Sequence, residues 1–390
     1  MGRLVRTFHV YKDCGGLHIA SMGLRLATFN IENLMNRFDF AGFRNALRQD
    51  RALSLYRIDD QRQYEALEAA RAIATTDDTR QLSALAMTAL RADVICLQEV
   101  ENEGALDAFE RHYLYRMIGH GYRQRHLSQG NDGRGIDIAV LARDETRDGE
   151  RIEIRDIQTH AFRTVADFGL QSDELMAIGI DGGQKLFRRD CMVVDMAVGG
   201  RPFTLVALHL KSMGPSRDPD IPGRQWTMPM RRAELAATRQ ILTEKFDDRP
   251  DRMRWAICGD FNDYRERILV HGEFDDDYRF EHSKEDDSSL NILLDDGFAI
   301  DPSEKLDPMG RWTLFHSRGP GKRHLCQLDY ILLSPKLADA NPDAVPRIER
   351  RGQPWRTIMP PSQIVERFPR TGWDRPKASD HCPIVMELSI

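Results

Sequence analysis

Apolar residues recur along this chain in short alternating runs separated by charged stretches, and those runs place the elements. Leu24 to Asn30 (LRLATFN) alternates apolar and other residues, which predicts a strand that ends on a polar side chain. A charged stretch from Asn36 to Arg80 follows, with helical spacing in RQYEALEAARAIA (62–74). RQLSALAMTALRA (80–92) predicts a second amphipathic helix that runs directly into the strand DVICLQE (93–99). Ile136–Leu141 is a short apolar strand, and Cys191–Val198 with Phe203–Leu210 form a hairpin across Gly199-Gly200. A loop rich in Pro and Arg (213–230) precedes a helix over RRAELAATRQILTEKF (231–246). Strands then follow at RWAICGD (254–260), Gln327–Leu333 and Ile384–Leu388.

Two segments interrupt the pattern. Gly272–Ser289 carries eight acids and predicts a solvated loop. Ala338–Pro376 carries seven of the 18 prolines, too many for regular structure. No repeat of fixed period is visible. Many strands, a few helices and no obvious linker predict one α+β domain in which two sheets pack face to face.

Composition narrows the picture only in places. A chain of 390 residues fits one large domain or two ordinary ones. The net charge of −6 argues against a protein built mainly to neutralise nucleic-acid phosphates, but leaves room for a local grip on one phosphate. The six cysteines form no CxxC pair, and Cys96, Cys191 and Cys258 lie in apolar runs, so reduced core thiols and a reducing compartment are expected. The mean hydropathy is −0.51, and no apolar run approaches the roughly 20 residues of a membrane span. Residues 1–23 read as an extension without an assigned role, since Arg3, Arg6, His9, Lys12 and Asp13 break any signal-peptide run. A cytoplasmic protein is the expectation.

The informative feature is the set of polar residues at strand ends: Asn30, Glu99, His209, Asp260 with Asn262, Asp329, and Asp380 with His381. Strand ends deliver side chains rigidly to one rim of a sandwich. Each member alone has an ordinary explanation, as a turn-capping carboxylate or a satisfied half-buried histidine. Together they offer several acids, two asparagines and two histidines, without a serine nucleophile motif or a cysteine pair. That chemistry suits magnesium-assisted attack of water on a phosphoester, because Mg²⁺ takes oxygen ligands and keeps several waters. Glu99 is a natural ligand, Asn30 and Asn262 are neutral donors for phosphate oxygens or waters, and an acid beside a histidine moves protons. Zn²⁺ fits less well, since neither His nor Cys occurs at ligand spacing. A P-loop and a GxGxxG are both missing.

Six stretches carry a resemblance: TFNIENL (28–34), ICLQEVEN (95–102), HLKS (209–212), GDFND (259–263), LDYILLS (328–334) and SDHCPI (379–384). In this order they resemble the motifs of the exonuclease–endonuclease–phosphatase superfamily, over residues 24 to 388. The resemblance implies a four-layered α/β sandwich, two packed mixed β-sheets flanked by helices, with the site at one end of the sheets. It makes 24–390 the catalytic domain, with insertions near 36–80, 272–289 and 338–376. It implies that Asn30 holds the phosphate or a metal water, Glu99 binds Mg²⁺ (or Mn²⁺), and Asp380 helps to bind the metal. His209 matches a general acid. By the same resemblance Asp260 would orient or deprotonate the attacking water, also near the metal, with Asp260 or His381 as the base, and Asn262 would bind a phosphoryl oxygen. Asp329 would fix the tautomer of His381, which contacts the phosphate.

Arg189 and Lys211 are weaker substrate-binding candidates, and each has a plain surface reading. Arg134 with Asp137 reads as a supporting pair or a strand-edge charge, and Asn33 as a turn cap. Arg217, Arg224 and Trp226 read as a phosphate-and-stacking surface or an ordinary loop. The expected activity is hydrolysis of a phosphodiester, with nucleic acid as the first substrate and partner class. A phosphatase or a sphingomyelinase-like lipid phosphodiesterase on the same scaffold is the alternative, and a catalytically silent binding module the second. The tryptophan-cysteine-aspartate-arginine motif of inositol phosphatases is replaced by QLDYIL, which weakens that branch.

Overall fold

The computed structural model describes residues 23–35, 60–63, 77–273, 277–317 and 322–390. The helix expected over 62–74, most of the 36–80 insertion and residues 1–22 lie outside the described residues. Two sheets carry the fold. The first orders β14 (Arg347–Ile348), β15 (Ile384–Ser389), β1 (Gly23–Leu34), β2 (Val94–Val100), β4 (Asp137–Ala142) and β3 (Gln124–Ser128). The second orders β13 (Asp329–Leu333), β8 (Trp255–Asp260), β7 (Arg201–His209), β6 (Cys191–Val198) and β5 (Ile152–Gln158). A smaller third sheet orders β10 (Arg279–Lys284), β9 (Glu266–His271), β12 (His324–Cys326) and β11 (Leu314–His316).

Period-two alternation sorts the side chains of the large sheets. Leu24 and Leu26 of β1, Val94 and Cys96 of β2, Leu205 and Ala207 of β7, Ala256 and Cys258 of β8, and Ile331 of β13 meet in one cluster between the sheets. The alternate set faces outward. Ala27, Phe29, Ile95 and Leu97 pack under α1 (Asp77–Leu90) and α2 (Glu103–Phe109). Leu208, Trp255 and Ile257 pack under α3 (Met228–Lys245). The layers therefore run helix, sheet, sheet, helix, as the sequence led us to expect. Both faces of each central strand are buried, at about 1.5–3 kcal/mol for each large apolar side chain, so these strands read as apolar throughout.

Each large sheet has one parallel pair at its centre, β1 with β2 and β7 with β8, and antiparallel neighbours outside it. Parallel strands end at the same rim, so four central strands deliver their last residues to one place. The antiparallel β13 begins at that rim, and β15 follows it within three residues of His381. The crossing of β7 and β8 is tight. Gly259 has φ +155°, and a Cβ there would sit 2.0 Å from the Leu208 carbonyl oxygen, so only glycine fits.

Helix and strand bounds shift for identifiable reasons. The described part of α1 runs from Asp77, and α3 starts at Met228 because Pro229 suits a first turn. The acidic 272–289 segment is not merely a solvated loop, since its described part contains β10. There Glu281 meets His271 at 3.0 Å and His282 meets Glu266 at 2.8 Å across β9, while Phe280 packs on the apolar side of the third sheet. The expected strand over Gln327–Leu333 begins instead at Asp329, with β12 a separate piece before it. The proline-rich 338–376 segment is largely irregular, as predicted, apart from the end of the short helix Pro335–Ala340 and β14. The five described cysteines are free and buried. No helix among the described residues is long and apolar enough to cross a membrane.

Candidate active site

The apolar layer between the sheets turns polar at one rim, one residue pair at a time. On β1 the inward series Leu24, Leu26 continues as Thr28 and Asn30, and on β2 Val94, Cys96 continues as Gln98. Thr28 and Gln98 satisfy each other by buried hydrogen bonds of 3.0 and 3.2 Å. The same inward rows end in His209 on β7, Asp260 on β8 and Asp329 on β13. The Asp260 register places it opposite His209 on one side and Asp329 on the other.

Asp260 is the hub. Its Oδ2 accepts from Asn30 Nδ2 at 3.0 Å and from Asn262 Nδ2 at 3.1 Å, while Oδ1 accepts the Asn262 backbone N–H at 2.8 Å. His209 Nε2 lies 3.5 Å and His381 Nε2 3.8 Å from the same Oδ2. His381 Nδ1 meets Asp329 Oδ2 at 2.8 Å. Ser379, from the same motif, donates its hydroxyl to the Asn30 carbonyl at 2.7 Å and accepts the His381 N–H at 3.0 Å, which ties β1 to the histidine.

Burial and neighbouring charges give these groups different protonation. Burial pushes the Asp260 carboxyl up to about 7, with Asp329 adding to the effect and His381 opposing it. Burial works against a charged His381, but Asp329 and Asp260 together outweigh it and hold the imidazole well above its usual 6.5. Burial, then the Arg189 and Arg134 guanidiniums, hold His209 well below 6.5, so it is a neutral ring. The site thus pairs one imidazolium with one neutral imidazole on either side of a carboxylate.

Backbone geometry shapes the rim as well. Glu32, Asn33, Glu99 and Asn262 have φ of 55°, 57°, 67° and 49°, the left-handed region that glutamate rarely adopts. Glu99 sits where the β2 register shifts between Gln98 and Val100, and it accepts the Asn33 N–H at 3.0 Å. Glu32 is held by Arg375 at 2.8 Å and Lys377 at 3.1 Å. Asp380 is half-buried, with Ser379 Oγ 3.4 Å from its Oδ1.

Several weaker candidates take other places. Arg189 is no surface residue: it is 2% exposed, donates to the Leu210 carbonyl at 3.1 Å and meets Asp132 at 3.0 Å, so it acts on the site by fixing the chain beside His209. Arg134 pairs with Asp132 at 2.9 Å rather than with Asp137, whose carboxylate accepts the Gly130 N–H at 2.8 Å. Lys211 is half-buried rather than solvated, with Nζ on the Ser212 carbonyl at 3.1 Å; burial, then Arg189, lowers it to about 8. Arg224 is bound into the fold by Asp263 at 2.7 Å and the Tyr264 carbonyl at 2.8 Å. Asn33 gives its backbone N–H to Glu99 Oε2 at 3.0 Å.

Sequence reasoning passed over Glu234. This α3 residue is fully buried and accepts the Lys211 N–H through Oε2 at 2.8 Å. Burial pushes it up to about 7. With Arg231 on the Lys211 carbonyl at 3.2 Å, and with Arg189 and Asn262 on that of Leu210, it holds the strand end that carries His209. A charged residue inside an amphipathic helix gives no such signal in sequence.

The residue types at the rim are those a hard divalent cation takes. Among the described residues, no group of three His, Cys, Asp or Glu side chains is placed to hold a metal ion by itself. The rim instead offers the oxygens of Glu99 and Asp380, the amides of Asn30 and Asn262, and Asp260, whose second oxygen is shared by the asparagines. Such an open set suits an ion that binds one or two carboxylates and keeps waters.

A family model described as Endonuclease/Exonuclease/phosphatase family matches residues 27–381. No curated protein matches the chain in sequence. Among solved structures, the human nocturnin catalytic domain with bound sulfate anion is 14% identical over 95% of this chain and 95% of its own, with a TM-score of 0.48. TDP2 from C. elegans is 13% identical over 94% of this chain and 75% of its own, at 0.47. A Bacteroides thetaiotaomicron endonuclease/exonuclease/phosphatase family protein is 13% identical over 94% of each chain, at 0.49.

Proposed function

Because the chain belongs to the endonuclease/exonuclease/phosphatase family, whose members hydrolyse phosphoester bonds, we propose that it is a metal-dependent phosphodiesterase using Mg²⁺, with Mn²⁺ as a substitute. The observation that carries this reading is the convergence of Asn30, His209, Asp260, Asn262 and the Asp329–His381 pair on one carboxylate oxygen at the sandwich rim. Glu99 and Asp380, together with Asn30 and Asp260, would hold the cation. When bound, it neutralises phosphoryl charge and lowers the pKa of a coordinated water.

The chain's own groups supply the rest. Asp260, raised toward neutrality, takes a proton from the attacking water, and the two asparagine amides hold it in place. Asn262 offers its amide to a phosphoryl oxygen in the transition state. His381 is the charged imidazole, oriented by Asp329, and stabilises developing negative charge or protonates the leaving oxygen. His209, matched by resemblance to a general acid, is neutral here, with its Nε2 3.5 Å from Asp260 Oδ2.

The test uses bis-p-nitrophenyl phosphate. EDTA is expected to abolish hydrolysis and Mg²⁺ or Mn²⁺ to restore it, and His381→Ala to lower kcat by about 10²–10⁴-fold with the fold retained. Hydrolysis that survives chelation, or a variant with near-wild-type kcat, would overturn the reading.

A further inference from the structure

A cavity of about 410 Å³ adjoins the site, within the range of small-ligand pockets. Tyr264, two residues beyond Asn262, lines one side, and Arg267, His316, Lys322, Arg323 and His324 line the other. The β11–β12 hairpin ties this wall to the catalytic pair. Leu314 bridges to His381, the Cys382 N–H donates to the Thr313 carbonyl at 2.7 Å, and Thr313 Oγ1 accepts the Asp329 N–H at 3.2 Å. His316 lies two residues past Leu314, about 7 Å along the strand, and pairs in register with His324. Cys326, at the near end of β12, lies within electrostatic reach of both Asp260 and Asp329. The cavity wall thus lies two residues along β11 from the bridge to His381.

The cavity walls combine flat rings with cationic side chains. The His316 and His324 rings lie 4.8 Å apart at 31°, and Tyr264 lies 5.9 Å from His324. Burial, then His316 and Arg267, drives His324 down to about 3, so its ring is a neutral surface. Glu285 answers Arg267 at 2.8 Å and Arg224 at 3.2 Å. Lys322 and Arg323 have no carboxylate partner among the described residues; Arg323 donates to the Gly272 carbonyl. In a chain of net charge −6, two cations beside stacked rings with no carboxylate partner among the described residues are a local exception.

We propose that this cavity is the subsite for a nucleotide flanking the scissile phosphodiester, its base against the His316, His324 and Tyr264 rings and its phosphate on Lys322 and Arg323. The inference rests on the phosphodiesterase reading and names its substrate class as single-stranded nucleic acid, because a base already paired in a duplex has no free face to offer these rings. An acyl chain would meet guanidinium and ammonium groups there, which disfavours a lipid.

The experiment compares a short single-stranded oligonucleotide, as DNA and as RNA, with bis-p-nitrophenyl phosphate, reading kcat and KM separately. Lys322→Glu is expected to raise the oligonucleotide KM by about tenfold or more and to flatten its log–log salt dependence by about one unit. The small ester, which does not reach the cavity, is expected to change far less. His316→Ala is expected to raise the oligonucleotide KM without changing its salt slope. Lys336→Glu, an equal charge change on an exposed helix, is the control and is expected to alter neither substrate. Equal effects of Lys322→Glu on both substrates, or none on either strand, overturn the proposal while leaving the hydrolase intact. If no substrate is turned over, fluorescence anisotropy of the labelled strand still decides: weaker binding to Lys322→Glu than to the control supports the subsite, and equal binding removes it.

Discussion

Asp329→Asn separates the charge of the Asp329–His381 pair from its shape. The carboxylate is fully buried, its Oδ2 meets His381 Nδ1 at 2.8 Å, and its backbone N–H is held by Thr313 Oγ1 at 3.2 Å. An asparagine keeps the volume and an accepting oxygen, so the loss is that of the negative charge. A hydrogen bond to a charged group contributes about 1.5–3 kcal/mol, which converts to a fall in kcat of about 10- to 150-fold if the transition state needs the imidazolium. The sign of the pH effect follows from the forces on His381. Burial lowers its pKa, and Asp329 with Asp260 raises it above 6.5. With Asp329 neutralised, burial regains weight and the proton leaves at lower pH. The alkaline limb of kcat against pH, measured on bis-p-nitrophenyl phosphate with Mg²⁺, is therefore expected to move toward neutrality. Stability changes the same way. A raised histidine pKa contributes stability that is whole below 6.5 and fades as pH rises through the folded value, so the variant loses more Tm at acid than at alkaline pH. An alkaline limb that stays in place, or equal Tm losses at both extremes, would refute the assignment.

Two other perturbations test neighbouring parts of the structure. Asp260→Asn is expected to cut kcat by about 10²–10⁴-fold yet to raise Tm at mildly alkaline pH. The folded carboxyl is raised from 3.8 to about 7, so its stabilising effect is lost as pH climbs through that range, and a neutral amide avoids burying the charge. A variant Tm at or below that of the wild type at mildly alkaline pH would contradict this. Gly259→Ala tests the register of β7 and β8, since its Cβ would lie 2.0 Å from the Leu208 oxygen at φ +155°. Denaturant unfolding is expected to show a loss of at least about 2 kcal/mol, and wild-type stability would mean that the strands cross differently.

The site was legible wherever a strand's own alternation ended in a polar residue. LRLATFN, FTLVALHL and WAICGD each carry an apolar row that becomes Asn30, His209 and Asp260, and both the row and its interruption are written locally. β10 was hidden, because its charges are answered by His271 and Glu266 on the facing strand, which a count of acids within one segment does not register. The burial of Arg189 and the role of Glu234 were not legible for a related reason: their partners, the Leu210 carbonyl and the Lys211 N–H, are backbone groups 21 and 23 residues away.

What the linear chain determined by itself is the central strands of the two large sheets, the layer each of their side chains belongs to, and the chemical kinds of group at their ends, since all three follow from a period of two residues. What only the tertiary structure decided is which groups share a carboxylate oxygen and which are charged. Asn30 and Asp260 are 230 residues apart, and His381 and Asp329 are 52 apart. Their meeting depends on two parallel pairs ending at one rim. The protonation of His209 and His381, opposite in direction for the same side chain, comes from the charges and the burial around each ring, and no local pattern of residues encodes that surrounding field.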